Sequence, residues 1–100
     1  MNQIELEVVT PNETVAKETG VTEVIIPAEW GQMDVLPQHT EYMTTLRQGE
    51  LSYKIAGEKK TLNITGGLFT IAHNKATVLA DGLFATVTSL EEARNHRRGK

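Results

Sequence analysis

Hydrophobic and polar residues alternate from the start of the chain. Ile4, Leu6 and Val8 fall on one side of an extended backbone and Glu5 and Glu7 on the other, the pattern of a strand with one buried and one wet face. Thr10-Pro11-Asn12 ends it, because proline donates no ladder hydrogen bond and asparagine favours turns. Val21 to Ile26 is a second run, rich in β-branched residues and closed by Pro27. Ala28 to Thr40, with Trp30, Gly31, Pro37 and His39, reads as irregular. Leu51, Tyr53 and Ile55 then alternate with Ser52 and Lys54. After Ala56-Gly57-Glu58, Leu62 and Ile64 alternate with Thr61, Asn63 and Thr65, which predicts a hairpin. The pair Gly66-Gly67 predicts a bulge, a tight bend or a close backbone approach. Leu68 to Ala72 and Ala76 to Ala80 flank His73-Asn74-Lys75 as another hairpin, and Leu83 to Thr88 is predicted as a last strand. Only the end changes period. Ser89 and Glu92 have capping-box spacing, and Leu90 to Arg98 is compatible with about two helical turns. The pattern as a whole predicts an all-β sandwich or barrel with a short carboxy-terminal helical turn.

Composition narrows this only a little. One hundred residues make one domain. The hydrophobic fraction of 39% and charged fraction of 23% are those of an ordinary soluble globular chain. There is no cysteine, so disulfides, thiolate metal sites and a cysteine nucleophile are excluded. No apolar run approaches the ~20 residues of a membrane-spanning helix. Charge does change the picture. Residues 1–90 carry a net charge of −5 and the last ten residues +2, within a total of −3. An acidic body argues against a nucleic-acid partner, whose affinity comes mainly from neutralised phosphates.

Most catalytic signatures are absent. The two serines, Ser52 and Ser89, lie outside any G-x-S-x-G, and no glycine-rich phosphate loop occurs. His39, His73 and His96 lack metal-ligand spacing. The exception is the irregular stretch, where Glu29, Trp30, Gln32, Asp34, His39 and Glu41 set polar groups beside a bulky aromatic. Three readings stay open there. Asp34 or Glu41 could orient His39 as a general base. Trp30 and Met33 could pack on the body while the charges stay in water. Or the loop could bind a protein, since aromatics and methionine are enriched at interfaces.

Beyond these readings, an ordered set of fragments stands out: Ile4 to Pro11, Gly31 to His39, Thr45-Leu46, Gly49-Glu50-Leu51, Gly66-Gly67 and Thr77 to Asp81. In order and spacing, over about residues 4–82, they resemble the epsilon subunit of F-type ATP synthases. The resemblance implies a flattened sandwich of about ten short strands over residues 1–88, with 89–100 as the start of a carboxy-terminal helix. It implies a non-catalytic subunit of the central stalk that couples the gamma subunit to the membrane c-ring, with the alpha/beta hexamer met indirectly. Such a part would lie on the cytoplasmic face of a bacterial inner membrane, touching the membrane only through the complex. No cofactor is expected. The residues expected to meet the c-ring are Glu29, Trp30, Gln32 and His39. Those expected to meet gamma are Thr10, Pro11, Tyr42, Met43 and Thr44. The competing expectation is a small-molecule-binding or enzymatic β-domain built on the His39 loop.

The chain departs from the family pattern at several positions. Asp34 and Gln38 stand where the family usually has glycine, so the loop is expected to bend differently, because a residue with a Cβ resists a positive φ. Gln32 stands where an acid is common, which leaves Glu29 or Asp34 to supply that charge. Leu90 and Arg94 match part of the family's nucleotide-sensing motif, but Glu91 and Asn95 do not, so tight ATP binding is not expected.

Overall fold

The computed structural model describes residues 3–83, and every described element is a β-strand. There are eight: β1 (Ile4–Val9), β2 (Thr14–Ala28), β3 (Gly31–Val35), β4 (Tyr42–Leu46), β5 (Gly49–Ile55), β6 (Glu58–Ile64), β7 (Gly67–Ala72) and β8 (Lys75–Ala80). The expected fold class holds, with eight described strands where about ten were expected. The expected strand beyond Leu83, the helical turn and the 88/89 boundary lie outside the described residues.

Strand order is β1-β8-β7-β4-β2-β5-β6, with β3 added on β2 and a further β1–β2 pairing that closes the sheet on itself. The result is sandwich-like. One layer is β4-β7-β8-β1, in which β1 and β8 run parallel, and the other is β3-β2-β5-β6. β2 joins the layers. It pairs β1 along its first half, β5 and β3 in the middle and second half, and β4 only at Ala28↔Leu46. Its registers shift on both sides near Gly20, whose φ is 82°. An extra residue in one strand bends and twists it, and that bend lets one strand serve two layers.

Inward positions build one core from both layers, including Leu6, Val8, Val24, Ile26, Leu51, Phe69, Ile71 and Val78, all at most 1% exposed. Turn chemistry sets the hairpins. Ala56 and Gly57 have φ values of 53° and 81°, and His73 and Asn74 of 53° and 61°. These are two-residue turns with both central residues left-handed, whose twist matches that of the strands. Gly67 fulfils the expectation of a close approach: with φ 149°, a Cβ there would stand 2.2 Å from the Leu79 carbonyl oxygen.

Two expectations need correction. β2 begins at Thr14, not at Val21. Lys17, Glu18 and Thr19 show no apolar alternation because that stretch of the strand is held by the backbone ladder to β1, while Val15 and Ala16 before it pack against the core. The irregular stretch is partly regular: Gly31–Val35 pairs with β2 from Ala28↔Gly31 to Val24↔Val35. Its alternation, exposed Gln32 and Asp34 against half-buried Met33 and buried Val35, was masked by the turn residues around it.

Candidate docking surfaces

The β2–β3 turn consists of Glu29 and Trp30 and closes at Gly31, which takes φ 138°. Turn residues point away from the core, and Trp30 is 64% exposed. It is nevertheless held in place. Its ring meets Tyr42 edge-on at 6.1 Å between centroids, and His39 meets the same tyrosine at 5.9 Å. Edge-on aromatic pairs at such distances are favourable beyond the area they cover. On the adjacent strand, the Thr45 hydroxyl donates to Glu29 Oε1 at 2.6 Å. Glu29, Trp30, His39 and Tyr42 thus form one tip, tied to β4.

The 36–40 loop is shaped by a turn in which His39 N donates to the Leu36 carbonyl at 3.2 Å. Pro37 leads it and Gln38 follows with φ 69°. That is the arrangement that favours glycine at the second central position. Gln38 therefore adopts the positive φ that glycine would supply, and its backbone N–H is held by the side chain of Asn74. Asp34 needs no such conformation, since it lies within β3 with its side chain exposed.

A general base oriented by an acid is not assembled here. His39 Nδ1 lies 2.7 Å from the Thr40 carbonyl, while Glu41 faces His73 at 3.4 Å, both well exposed. Asp34 makes no hydrogen bond to His39. Among the described residues, no group of three or more acids and histidines is placed to hold a metal ion.

The second surface is the outer face of the β4-β7-β8-β1 layer. Its registers are Thr45↔Leu68, Leu68↔Leu79 and Val9↔Leu79, so these four outward side chains form a row across the layer. Met43, Thr70, Thr77 and Glu7 make the next row. Met43 is 65% and Leu79 48% exposed, with Leu68 and Val9 half-buried between and beside them. Thr10 and Pro11 continue from Val9 into the β1–β2 turn, where Thr10 N donates to the Glu13 carbonyl at 2.8 Å. The row therefore runs from Thr10-Pro11 at one margin to Thr45 at the other, with Met43 in the row beside it. Thr44 does not belong to it. Alternation along β4 turns Thr44 inward, where it is buried and its hydroxyl donates to the Thr45 carbonyl, so it offers a partner no side chain. Tyr42 also turns inward, toward the tip. Leu68, Leu79 and Val9 were missed from the sequence. The signal was present: Leu68 to Ala72 and Ala76 to Ala80 are apolar at nearly every position, where one buried face would require only every second.

The pKa of the Tyr53 hydroxyl is pushed up by burial, and further by the Glu18 carboxylate, to which it donates at 3.3 Å. It lies inside the body, away from both surfaces.

Geometry of this kind defines a small closed β-sandwich carrying an aromatic tip and an apolar sheet face. Residues 3–86 match the family described as the ATP synthase delta/epsilon chain beta-sandwich domain, and the chain belongs to that family. It is 36% identical over 81 residues to the ATP synthase epsilon chain of Symbiobacterium thermophilum, covering 81% of this chain and 58% of that one. It is 38% identical over 78 residues to the corresponding chain of Solibacter usitatus, covering 78% and 58%. The chain thus spans a little under three fifths of the length of these relatives. Among solved structures, the mitochondrial ATP synthase OSCP/F1/c-ring assembly of Euglena gracilis contains a chain that superposes with a TM-score of 0.79 at 22% identity, covering 100% of this chain and 66% of that one. The central stalk/c-ring structure of the Tetrahymena thermophila mitochondrial enzyme contains another, with a TM-score of 0.70 at 16% identity, covering 96% and 90%. At those identities the likeness is one of fold.

Proposed function

We propose that this chain is a non-catalytic part of the central stalk of an F-type ATP synthase, coupling a gamma subunit to the membrane c-ring. The observation that carries this reading is the pairing of two contact surfaces on one stiff body, in a chain of the epsilon family. A part that passes torque must resist deformation. A close-packed core wrapped by cross-strand hydrogen bonds does so. The apolar row Leu68, Leu79 and Val9, with Met43 above it and Thr10-Pro11 at its margin, is the face for gamma, since lasting interfaces are more apolar than ordinary surface. The tip formed by Glu29, Trp30 and His39, with Gln32 beside it on β3, is the face for the polar loops of the c-ring. Gln32 carries no charge, so the acid at this tip is Glu29, already steadied by Thr45. The working place is the cytoplasmic face of a bacterial inner membrane, reached through the complex.

Reconstitution tests this. The full chain is added back to the complete ATP synthase of its own cell from which the epsilon subunit has been stripped, and recovery of gamma and c-ring, ATP hydrolysis and ion pumping are followed together. The expected result is stable binding to gamma for the unmodified chain and for Trp30→Ala, with pumping per ATP reduced in the variant. If the chain recovers neither gamma nor c-ring, the reading is wrong. If Trp30→Ala couples as well as the parent, the tip assignment is wrong.

A further inference from the structure

A second kind of site lies on the other layer, away from the apolar row. The β2–β5 ladder ends at Ile25↔Ser52. Pro27 follows and has no N–H with which to continue it. Its carbonyl accepts instead from Arg47 N at 2.9 Å. Where the ladder stops there is a cleft of about 260 Å³. Ile25 and Pro27 supply its apolar lining, and Ser52 a hydroxyl.

Three features mark this cleft as more than a surface irregularity. Ser52 is only 3% exposed, yet its hydroxyl makes no hydrogen bond to any described residue. Among the described residues no side-chain polar atom is both fully buried and unpaired, so the Ser52 hydroxyl keeps access to the outside, and since Ser52 lines the cleft, that access is through the cleft, where the hydroxyl is open to a partner. Two cations, Arg47 and Lys59, also line it, and neither forms an ion pair among the described residues. Lys54 on the same face, by contrast, is paired with Glu23 at 3.4 Å. Finally, one carboxylate, Glu50, stands in the same lining, so the lining carries both signs of charge.

We propose that the cleft binds a small ligand bearing an oxyanion, a carboxylate or a phosphate, together with an amino or hydroxyl group. Arg47 and Lys59 hold the oxyanion, with Ser52 donating from below, and Glu50 accepts from the second group. Charge-assisted bonds of this kind are the stronger ones available to a protein. Size limits the ligand. A cavity of roughly 150 Å³ admits benzene, and sites for drug-sized ligands begin at roughly 300 Å³. The cleft suits a molecule of amino-acid size. The site borders the proposed c-ring face at Gln32, but its argument does not rest on the stalk reading.

Titration of the ¹⁵N-labelled full chain at constant ionic strength tests it, with inorganic phosphate and glutamate as separate probes. The expected result is saturable amide shifts confined to Gln32, Gln48, Glu50 and Ser52, at millimolar concentration. Arg47→Gln should weaken binding about tenfold and Ser52→Ala about three- to tenfold, each keeping the parent's spectrum elsewhere. Glutamate should bind more tightly than phosphate, by a margin that Glu50→Gln removes. Equal binding of the two probes would overturn the role of Glu50. Shifts that grow linearly across all basic residues, an unchanged response in Arg47→Gln, or no shift with either probe would overturn the site.

Discussion

The two layers share one core and differ in what they turn outward. On the β4-β7-β8-β1 layer, Leu68, Leu79 and Val9 cross the sheet in a row beside Met43. On the β3-β2-β5-β6 layer the outward positions carry Gln32, Asp34, Glu50, Lys54 and Lys59 around half-buried Ile25 and Pro27, with a cross-strand ion pair between Glu23 and Lys54 at 3.4 Å. Inward residues determine that the chain closes. Outward residues determine what each layer can meet. An apolar face kept on a small domain is costly in solubility, and such faces mark partner surfaces. A polar face with mixed charge stays solvated, and the cleft lined by Ile25, Pro27 and Ser52 opens on it.

The comparison breaks first at Gly67, which lets β7 approach β8. Gly67→Ala places a methyl group 2.2 Å from the Leu79 carbonyl and 2.9 Å from the Ala80 Cα. Backbone cannot yield that far cheaply, so a loss of at least about 3 kcal/mol in urea unfolding is expected, with the row distorted. A loss below about 1 kcal/mol would mean the strands can part without harm.

Next comes the row itself. Met43→Glu with Leu79→Glu removes two exposed apolar side chains without touching the core. Affinity for gamma should fall by about 10- to 100-fold, matching roughly 1.5–3 kcal/mol of lost apolar contact. Lys54→Glu on the opposite layer should leave that affinity within about twofold. Equal losses from both layers would show that the apolar row is not the partner face.

Alkaline pH probes the shared interior. The Tyr53 hydroxyl has a raised pKa in the folded state, from burial first and then from Glu18, against the ordinary 10.0. The folded chain therefore keeps a proton that the unfolded chain releases, and stability should be full below about pH 10 and fall as pH rises above it. Tyr53→Phe should flatten that fall, as read from denaturation midpoints at several pH values. The smallest effect is at the tip. Gln38 holds φ 69°, and glycine there would relieve that strain while adding unfolded-state entropy. Gln38→Gly should raise stability by about 0.5 kcal/mol in urea unfolding. A loss would show that the left-handed glutamine is not strained.

Much of the architecture was legible in the sequence. Period-2 alternation marked β1, β5 and β6, and Ala56-Gly57-Glu58 and His73-Asn74-Lys75 marked the β5–β6 and β7–β8 hairpins. Gly66-Gly67 announced a close approach. The first half of β2 was not legible, because Val15 and Ala16 are adjacent rather than alternating and the residues after them are held by the ladder to β1. β3 was hidden among turn residues. At the tip, the sequence singled out Glu29, Trp30 and His39, yet it could not show that all three are organised around β4, through Tyr42 and Thr45.

Local physics accounts for what the sequence by itself determined: extended segments, turn positions and an all-β class follow from steric and burial preferences that act over a few residues. Only the tertiary structure decided which outward side chains stand together. Val9, Met43, Leu68 and Leu79 lie up to seventy residues apart along the chain. They share a face because strand order and register place them there, and register is a property of paired strands that no single strand carries.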